Sequence, residues 1–267
     1  MTSENTQAVL VENRRHVAVV TINRPEARNA VNSAVADGLG IALEEADQNP
    51  AIRAIVLTGA GDKSFCAGAD LKAIASGEGI NPTNHEHQKW GFAGVVTHPI
   101  STPVIAAVNG TALGGGTEIV LASDLAVAAE SASFGLPEVK RGLIAGAGGA
   151  FRVVEALPRK IGMEILLTGR AINATQAADL GLINRVVPDA EVLDAAIALA
   201  EEIAANAPLA VQASKRLARG IFDGEVPSEH AQWAANTKEV ITVFSSKDAR
   251  EGPRAFAEKR APEWRAE

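Results

Sequence analysis

The 267-residue sequence contains no tyrosine, and only 4% of its residues are aromatic. A single cysteine, Cys66, excludes an internal disulfide framework and any zinc site built from cysteines alone. No run approaches the about 18 uncharged apolar residues that a membrane-spanning helix needs. Met1 to Val11 lacks a positive segment followed by an apolar one, so we expect no secretory signal. These absences predict a cytoplasmic protein without a membrane partner.

Basic residues are also scarce relative to acidic ones. Lys and Arg total 25 against 32 Asp and Glu, which gives a formal net charge of -7. A nonspecific nucleic acid partner would need a dense basic face, so we expect none. The 47% hydrophobic and 21% charged composition is typical of a globular protein. The length allows one sizeable core and a smaller appended unit.

Strand and helix patterns alternate through the first two thirds of the sequence. β-branched residues around the polar break at Asn13 predict an antiparallel hairpin over residues 7–23. Ser33 is in position to cap a helix that ends at Asn49 and Pro50. Further strands are predicted over residues 54–58, 104–108 and 125–129. This alternation predicts an α/β fold.

The pattern changes after Asp189, where only helices are predicted. Apolar residues recur at helical spacing along the first of these helices, at Leu193, Ile197, Ala200 and Ile203. We therefore divide the chain into residues 1–190, a core that carries the active site, and residues 191–267, a helical annex.

Capping residues predict where the later helices begin and end. Ser228 is predicted to cap one helix of the annex and Ser246 another, which stops at Gly252. Pro253 suits the first turn of the last helix, because its missing N–H is not needed there.

Two glutamates stand twenty positions apart in segments that favour close backbone approach to a ligand. Glu118 follows a glycine run, residues 114–116, which leaves free backbone amides at the start of a short helix, where negative charge is favoured. Glu138 follows Leu136 and Pro137. A second glycine-containing turn, residues 66–70, could supply another amide if the two turns lie side by side. The alternative is that both are ordinary tight turns.

Four segments in combination resemble the enoyl-CoA hydratase/isomerase (crotonase) superfamily. They are NRPEARN (23–29), FCAGADLK (65–72), PVIAAVNGTALGGGTE (103–118) and FGLPE (134–138). The resemblance continues through 145–152, 167–170 and 177–187. It implies a crotonase-like spiral of ββα units with a C-terminal helical trimerisation region, usually assembled as a homotrimer or a dimer of trimers, and an acyl-CoA thioester substrate.

The resemblance also assigns catalytic roles. The backbone N–H groups of Ala69 and Gly115 would hold the thioester oxygen, and Glu118 and Glu138 would be the catalytic carboxylates. Members that only shift a double bond often keep just the carboxylate at the position of Glu138, so the pair favours an enoyl-CoA hydratase over an isomerase. By analogy Glu138 gives the α-carbon its proton and Glu118 orients the water. The alternatives are a helix cap for Glu118 and an ion pair with a neighbouring cation, Lys140 or Arg141, for Glu138.

The same resemblance implies a substrate-binding surface. The coenzyme A residues would be Ala27, Arg28, Ala67, Asp70, Leu71 and Lys72, with Phe256 and Lys259 of a neighbouring subunit over the adenine and phosphates. Solvated surface charge is the alternative for the Arg and Lys residues. Trp90 and Phe92 are candidates for the acyl pocket, with core packing as the alternative. We expect no cofactor beyond the substrate's own coenzyme A.

We also expect no metal ion. The closely spaced His85 and His87 lie in a polar stretch that is typical of solvated loops rather than of a metal site.

Within the superfamily, two segments resemble crotonobetainyl-CoA hydratases (carnitinyl-CoA dehydratases). They are GFAG at 91–94 and DAREGPRAFAEKRAPEW at 248–264. A trimethylammonium group would need an aromatic face or a carboxylate. Because aromatic residues are few, this substrate is the second expectation.

Overall fold

The computed structural model describes residues 7–267, and its main sheet contains six strands in the order β1-β2-β3-β5-β7-β10. A second sheet has the order β4-β6-β8-β9. Over the described residues the strands are β1 Val9–Arg14, β2 Val17–Ile22, β3 Ala54–Gly59, β4 Ser64–Cys66, β5 Val104–Val108, β6 Thr111–Leu113, β7 Leu125–Ala129, β8 Ser133–Gly135, β9 Ala171–Asn173 and β10 Arg185–Val187. Met1 to Thr6, part of the segment in which no secretory signal is expected, lie outside the described residues.

Helices fill the connections between strands and the end of the chain. Over the same residues they are α1 Ser33–Gln48, α2 Leu71–Ala75, α3 Gly115–Ala122, α4 Gly149–Ala156, α5 Arg159–Thr168, α6 Ala174–Asp179, α7 Val192–Ala204, α8 Pro208–Arg219, α9 His230–Phe244 and α10 Lys247–Ala257. None of the helices within residues 7–267 combines the length and the hydropathy of a membrane span.

The two sheets are built by a repeated strand–strand–helix unit. β3, β5 and β7 pair in parallel in the six-stranded sheet, and each is followed by a strand of the other sheet, β4, β6 and β8. α2 follows β4 and α3 follows β6. β1 and β2 form the predicted antiparallel hairpin. The α/β class and the spiral of ββα units are therefore confirmed.

The core lies on the six-stranded sheet, whose central strands are almost continuously apolar. β3 and β5 are buried along their whole length, as expected for parallel strands covered on both faces. α1 packs against β1 and β2, and α7 packs against β2, β3, β5 and β7. The first helix beyond residue 190 thus belongs to the core, and the division into residues 1–190 and 191–267 stays a prediction.

Three predicted helix boundaries are wrong. Asn32, not Ser33, caps α1, because its side chain accepts a hydrogen bond from the Val35 N–H at 3.2 Å. Ser228 lies in a 3-10 turn before α9 and makes no capping bond to that helix. Ser246 caps α10 as predicted, but α10 continues through Gly252 and Pro253 to Ala257.

Candidate active site

Three adjacent parallel strands bring the predicted site residues to one edge of the smaller sheet. β4 pairs with β6, and β6 pairs with β8, all in parallel. Ala69 follows β4, Gly115 and Glu118 follow β6, and Glu138 follows β8. Because parallel strands end at the same edge of a sheet, these residues converge although they are far apart in sequence.

The two glycine-containing turns lie in contact, as the amide-pair hypothesis requires. Gly68 has a φ of +90°, and a Cβ added to it would lie 3.0 Å from the Gly115 nitrogen and 2.9 Å from the Leu113 oxygen. Gly115 is the first residue of α3, so its N–H has no acceptor within the helix. The Phe92 ring packs so closely on Gly115 that a Cβ there would clash with it.

Glu118 is buried on α3, with 3% of its surface exposed. Its Oε1 accepts hydrogen bonds from the N–H groups of Ala147, at 2.7 Å, and Gly149, at 2.8 Å. The carboxylate is therefore bound by a separate glycine-rich turn before α4. The alternative in which it caps its own helix is not observed.

Glu138 lies in a 3-10 turn, Pro137–Arg141, and points to the glycine run. Its Oε1 is 2.8 Å from the position that a Cβ of Gly114 would occupy. Its Oε2 is buried, and within residues 7–267 it has no hydrogen-bond partner. Arg141 stacks its guanidinium over the Phe256 ring at 4.0 Å, so the alternative ion pair with Glu138 is not formed there.

Both glutamates have raised pKa values. Burial is the main cause for each, and the nearby charge of Glu138 raises the pKa of Glu118 further. The amides of Gly149 and Ala147 and the charge of Arg152 oppose this rise. Two buried carboxyl groups that resist simultaneous ionisation can share a proton, which lets one act as an acid and the other as a base.

Asp70 orients the turn that carries Ala69. It caps α2 by accepting from the N–H groups of Lys72, at 3.0 Å, and Ala73, at 3.2 Å. Arg24 donates to Asp70 at 2.9 Å and to the Ala30 carbonyl at 2.7 Å. Burial alone would raise the pKa of Asp70, but these hydrogen bonds lower it.

The proposed coenzyme A residues of segments 27–28 and 67–72 lie together beside this turn. The Ala67 N–H donates to the Arg28 carbonyl at 3.1 Å, which joins the segments 27–28 and 67–72. The side chains of Arg28, Leu71 and Lys72 are exposed, and Ala27 is half-buried. Phe256 and Lys259 are exposed near the end of α10. Their contact with coenzyme A, and that of Asp70, stays a prediction.

The two acyl-pocket candidates lie in different places. Phe92 packs on Gly115, whereas the Trp90 ring packs between His87, at 4.0 Å, and His98, at 4.3 Å between ring centroids. His87 is therefore a stacking partner rather than the solvated loop residue that we expected. Trp90 borders a cavity of about 830 Å³, which is also lined by Arg152 and Trp233.

Sequence reasoning missed four residues that support Glu118 and the turn of Ala69. Ala147 and Gly149 bind Glu118, Arg24 binds Asp70, and Arg152 lies one turn beyond Gly149 in α4. The glycines at 146, 148 and 149 are the feature of the sequence that could have indicated a turn whose backbone amides bind a carboxylate.

Comparison with known proteins gives consistent matches. A family model described as "Enoyl-CoA hydratase/isomerase" matches residues 12–267. Enoyl-CoA hydratase EchA19 of Mycobacterium tuberculosis is 44% identical, over 98% of this chain and 97% of its own length. Carnitinyl-CoA dehydratase of Proteus mirabilis is 40% identical, over 97% of this chain and 98% of its own.

Solved structures extend the match to the fold. A carnitinyl-CoA hydratase from Mycobacterium avium has a TM-score of 0.96 at 60% identity, with 98% of this chain and 100% of that chain covered. An enoyl-CoA hydratase from Mycobacterium tuberculosis has a TM-score of 0.75 at 46% identity, with the same coverage. The resemblance seen in the sequence is confirmed.

Proposed function

Because this chain belongs to the enoyl-CoA hydratase/isomerase family, we propose that it adds water reversibly to a 2-trans-enoyl-CoA thioester, giving a 3-hydroxyacyl-CoA. The observation that carries the proposal is the presence of two buried carboxyl groups, Glu118 and Glu138, beside a pair of adjoining amide turns. No cofactor beyond the substrate's own coenzyme A is part of the proposal.

The geometry supports different roles for the two backbone amides and the two glutamates. The N–H groups of Ala69 and Gly115 hold the thioester oxygen as it gains negative charge, and losing one such donor typically costs about 2.7 to 4 kcal/mol of barrier. Glu118, fixed by two amides, orients the water and takes its proton as the hydroxyl bonds to carbon 3. Glu138, whose Oε2 is without a partner in the described part of the chain, gives a proton to carbon 2.

The test is hydration of crotonyl-CoA, followed as the loss of conjugated thioester absorbance. We expect Glu118→Gln and Glu138→Gln each to lower kcat by roughly 10²- to 10⁴-fold, the usual contribution of a general acid or base. Glu155→Gln, at an exposed position of α4, is the matched control and keeps full activity. If the folded wild type leaves the absorbance unchanged, simple enoyl-CoA hydration is wrong.

Isomerisation of a 3-enoyl thioester is distinguished by the same variants. That reaction needs one proton-transferring carboxyl group at the position of Glu138. If Glu118→Gln kept full turnover while Glu138→Gln abolished it, the isomerase alternative would replace hydration.

A cationic acyl group is the second candidate substrate, as in crotonobetainyl-CoA. The 830 Å³ cavity supports it, because its lining carries more carboxylates than cations. The lining has six carboxylates, Glu44, Asp47, Glu86, Asp223, Glu225 and Glu229, against three strong cations, Lys89, Arg152 and Arg219. These carboxylates supply the negative charge that a trimethylammonium group needs, although the chain is poor in aromatic residues.

Comparing kcat/KM for crotonobetainyl-CoA and crotonyl-CoA tests this candidate. If the cavity holds the cation, Glu86→Gln, at an exposed position of its lining, lowers kcat/KM for crotonobetainyl-CoA by roughly two- to fivefold, as expected for the loss of an exposed ion pair. Crotonyl-CoA is the internal control. An equal loss for both substrates would show that Glu86 does not recognise the cation.

A trimer or a dimer of trimers belongs to the same proposal. It is supported by the apolar side chains that the later helices expose, above all Leu209, 79% exposed, and Leu217, 73% exposed. A cytoplasmic location and a place in fatty acid β-oxidation are further parts of it, supported by the proposed substrate class.

A further inference from the structure

Arg152 is a buried cation that joins α4 to the start of α9. Only 5% of its surface is exposed. Its Nη2 donates to Glu229 Oε2 at 2.6 Å and its Nε to Oε1 at 3.4 Å. Glu229 also accepts from the Trp233 indole N–H at 3.0 Å, and the guanidinium lies 5.4 Å from the Trp233 ring centre. Two residues of the C-terminal region therefore hold this side chain in place.

The other edge of the guanidinium faces the turn that binds Glu118. Nη1 is buried and has no hydrogen-bond partner within residues 7–267. A Cβ added to Gly148 would lie 3.4 Å from this nitrogen and 3.0 Å from the Trp233 ring. Gly148, with a φ of +95°, lies between Ala147 and Gly149, whose amides hold Glu118. Arg152 and Trp233 thus pack directly behind this carboxylate's binding turn.

The charges around Glu118 act in opposite directions. Glu138 raises its pKa, and Arg152 lowers it. Glu229 is the carboxylate that faces Arg152, and the charge of Arg219 acts in turn on Glu229. His230 lines the cavity of about 830 Å³ together with Arg152 and Glu229. The net effect on Glu118 therefore depends on how far Glu229 neutralises Arg152.

We propose that Arg152, held by Glu229 and Trp233, is a positioning residue for Glu118 that fixes the turn Ala147–Gly149 and favours the ionised form of this carboxylate. The proposal rests on the proposed function, because Glu118 is its catalytic base. In this proposal Glu229 and Trp233 of the C-terminal helical region act on Glu118 through Arg152, although neither side chain takes part in the reaction.

The pH profile of kcat/KM for crotonyl-CoA hydration tests the proposal, since its acid limb reports the base of the free enzyme. Removing the cation in Arg152→Gln should move the acid limb to higher pH by about one unit, the shift expected when a nearby opposite charge is lost. Arg152→Lys keeps the charge and should restore most of this shift. Glu229→Gln removes the neutralising charge and should move the limb to lower pH.

Arg159→Gln is the matched control, because Arg159 is exposed at the start of α5 and should leave the limb unchanged. If the Arg152 and Glu229 variants lose activity without a shift of the limb, or shift it in the same direction, Arg152 is only a packing residue and the proposal is wrong.

An infrared titration of the protonated carboxyl band, with Glu118→Gln as the reference, gives a readout without substrate. It should show the same opposite shifts in the Arg152→Gln and Glu229→Gln variants, and equal titration in both would overturn the proposal. If the wild type hydrated no enoyl thioester, the proposed function would fail, yet this titration would still decide the role of Arg152.

Discussion

Glu118 is buried and Glu138 is half-buried with a buried Oε2, and the two are held in different ways. Glu118 accepts two backbone hydrogen bonds, which favour its ionised form, whereas Glu138 keeps one oxygen without a partner among the described residues. Their titrations are coupled, so protons leave the pair in two steps that belong to both groups. The difference in hydrogen bonding supports Glu118 as the base and Glu138 as the acid.

The same pair predicts how stability depends on pH. The unfolded chain releases both protons near the ordinary carboxyl pKa of 4.5, while the folded protein retains them to higher pH. Below 4.5 this contribution is fully present, and the free energy of unfolding should fall as pH rises through the raised pKa values. Urea unfolding between about pH 5 and pH 8 should show a flatter decline for the Glu118→Gln, Glu138→Gln double variant. Parallel declines would contradict the raised values.

Gly68 holds the two amide turns in contact, which gives a second prediction. Gly68→Ala puts a methyl group against the Gly115 nitrogen and should separate the amide turns, with a loss of roughly 10²-fold in kcat. Gly181→Ala is the control, since Gly181 has a similar φ of +84° and a Cβ added there would meet no atom of residues 7–267 within 4 Å. Both variants should lose about 1 to 2 kcal/mol of stability from left-handed backbone. Hydration rates and urea unfolding check the two effects separately, and equal activity in both would refute the contact.

The sequence predicted the glutamates and the glycine turns, because their residue types lie next to one another in the chain. It did not predict that Ala147 and Gly149 bind Glu118, since these amides are brought there by the packing of α4 on α3. Every residue except proline carries a backbone N–H, so the residue types in a sequence do not indicate which N–H groups bind a carboxylate. The sequence also did not predict that Trp90 contacts α1 and stacks on His98, because these contacts depend on how distant segments pack.

α2 is a five-residue helix next to the site. An ion pair between Arg24 and its capping residue Asp70 holds the start of the helix. Arg24 and Asp70 are mostly buried, and Asp70 is both the helix cap and the residue after Ala69. Arg24→Met should therefore cost about 2 kcal/mol of stability and lower kcat, because the amide of Ala69 loses its fixed direction.

Arg14→Met is the matched control for this ion pair. Arg14 pairs with Glu12 on the surface, where solvent screens the interaction, so its loss should leave stability and kcat almost unchanged. Urea unfolding and crotonyl-CoA turnover measure both quantities. An equal effect of the two substitutions would show that the Arg24–Asp70 pair has no special role in orienting α2.

The end of α10 was predicted at Gly252 from local helix propensity, but the helix continues to Ala257. Gly252 and Pro253 favour termination, yet Gly252 lies where a side chain would clash with the Arg141 carbonyl. The glycine is therefore used for close packing of α10 against the turn that carries Glu138. Pro253 lies inside the helix, where only one backbone hydrogen bond is lost to it. Such a contact between distant segments leaves no periodic pattern in the sequence.

At the scale of the whole molecule, the end of the chain folds back on α10. Glu251 accepts hydrogen bonds from Arg254, Arg260 and the Glu263 N–H, and these lower its pKa to about 2. Stability from this cluster is present above the ordinary value of 4.5 and is lost as pH falls through about 2. Glu251→Gln should expose the tail already at neutral pH.

Hydrogen exchange over residues 247–267 measures this release. Glu239→Gln, at an exposed position of α9, serves as the control and should exchange like the wild type. Unchanged protection of the tail in Glu251→Gln would show that the cluster does not hold it.

The exposed leucines of α8 predict the assembly. Leu209→Asp with Leu217→Asp places charges in the apolar contact and should convert the proposed trimer into monomers, as measured by light scattering. Val11→Asp, at a half-exposed position of β1, should leave the mass unchanged. A wild-type monomer would refute the assembly itself.

The packing of α10 on the Glu138 turn also bears on how the protein is made. Synthesis proceeds from the N-terminus, so Glu138 leaves the ribosome long before the residues of α10 and the tail that folds over it. The turn thus stays without this support until the codons for α10 have been translated. A ribosome that stalls before residue 247 would hold a nascent chain in which Glu118 and Glu138 have been synthesised but the Glu138 turn lacks its contact with α10.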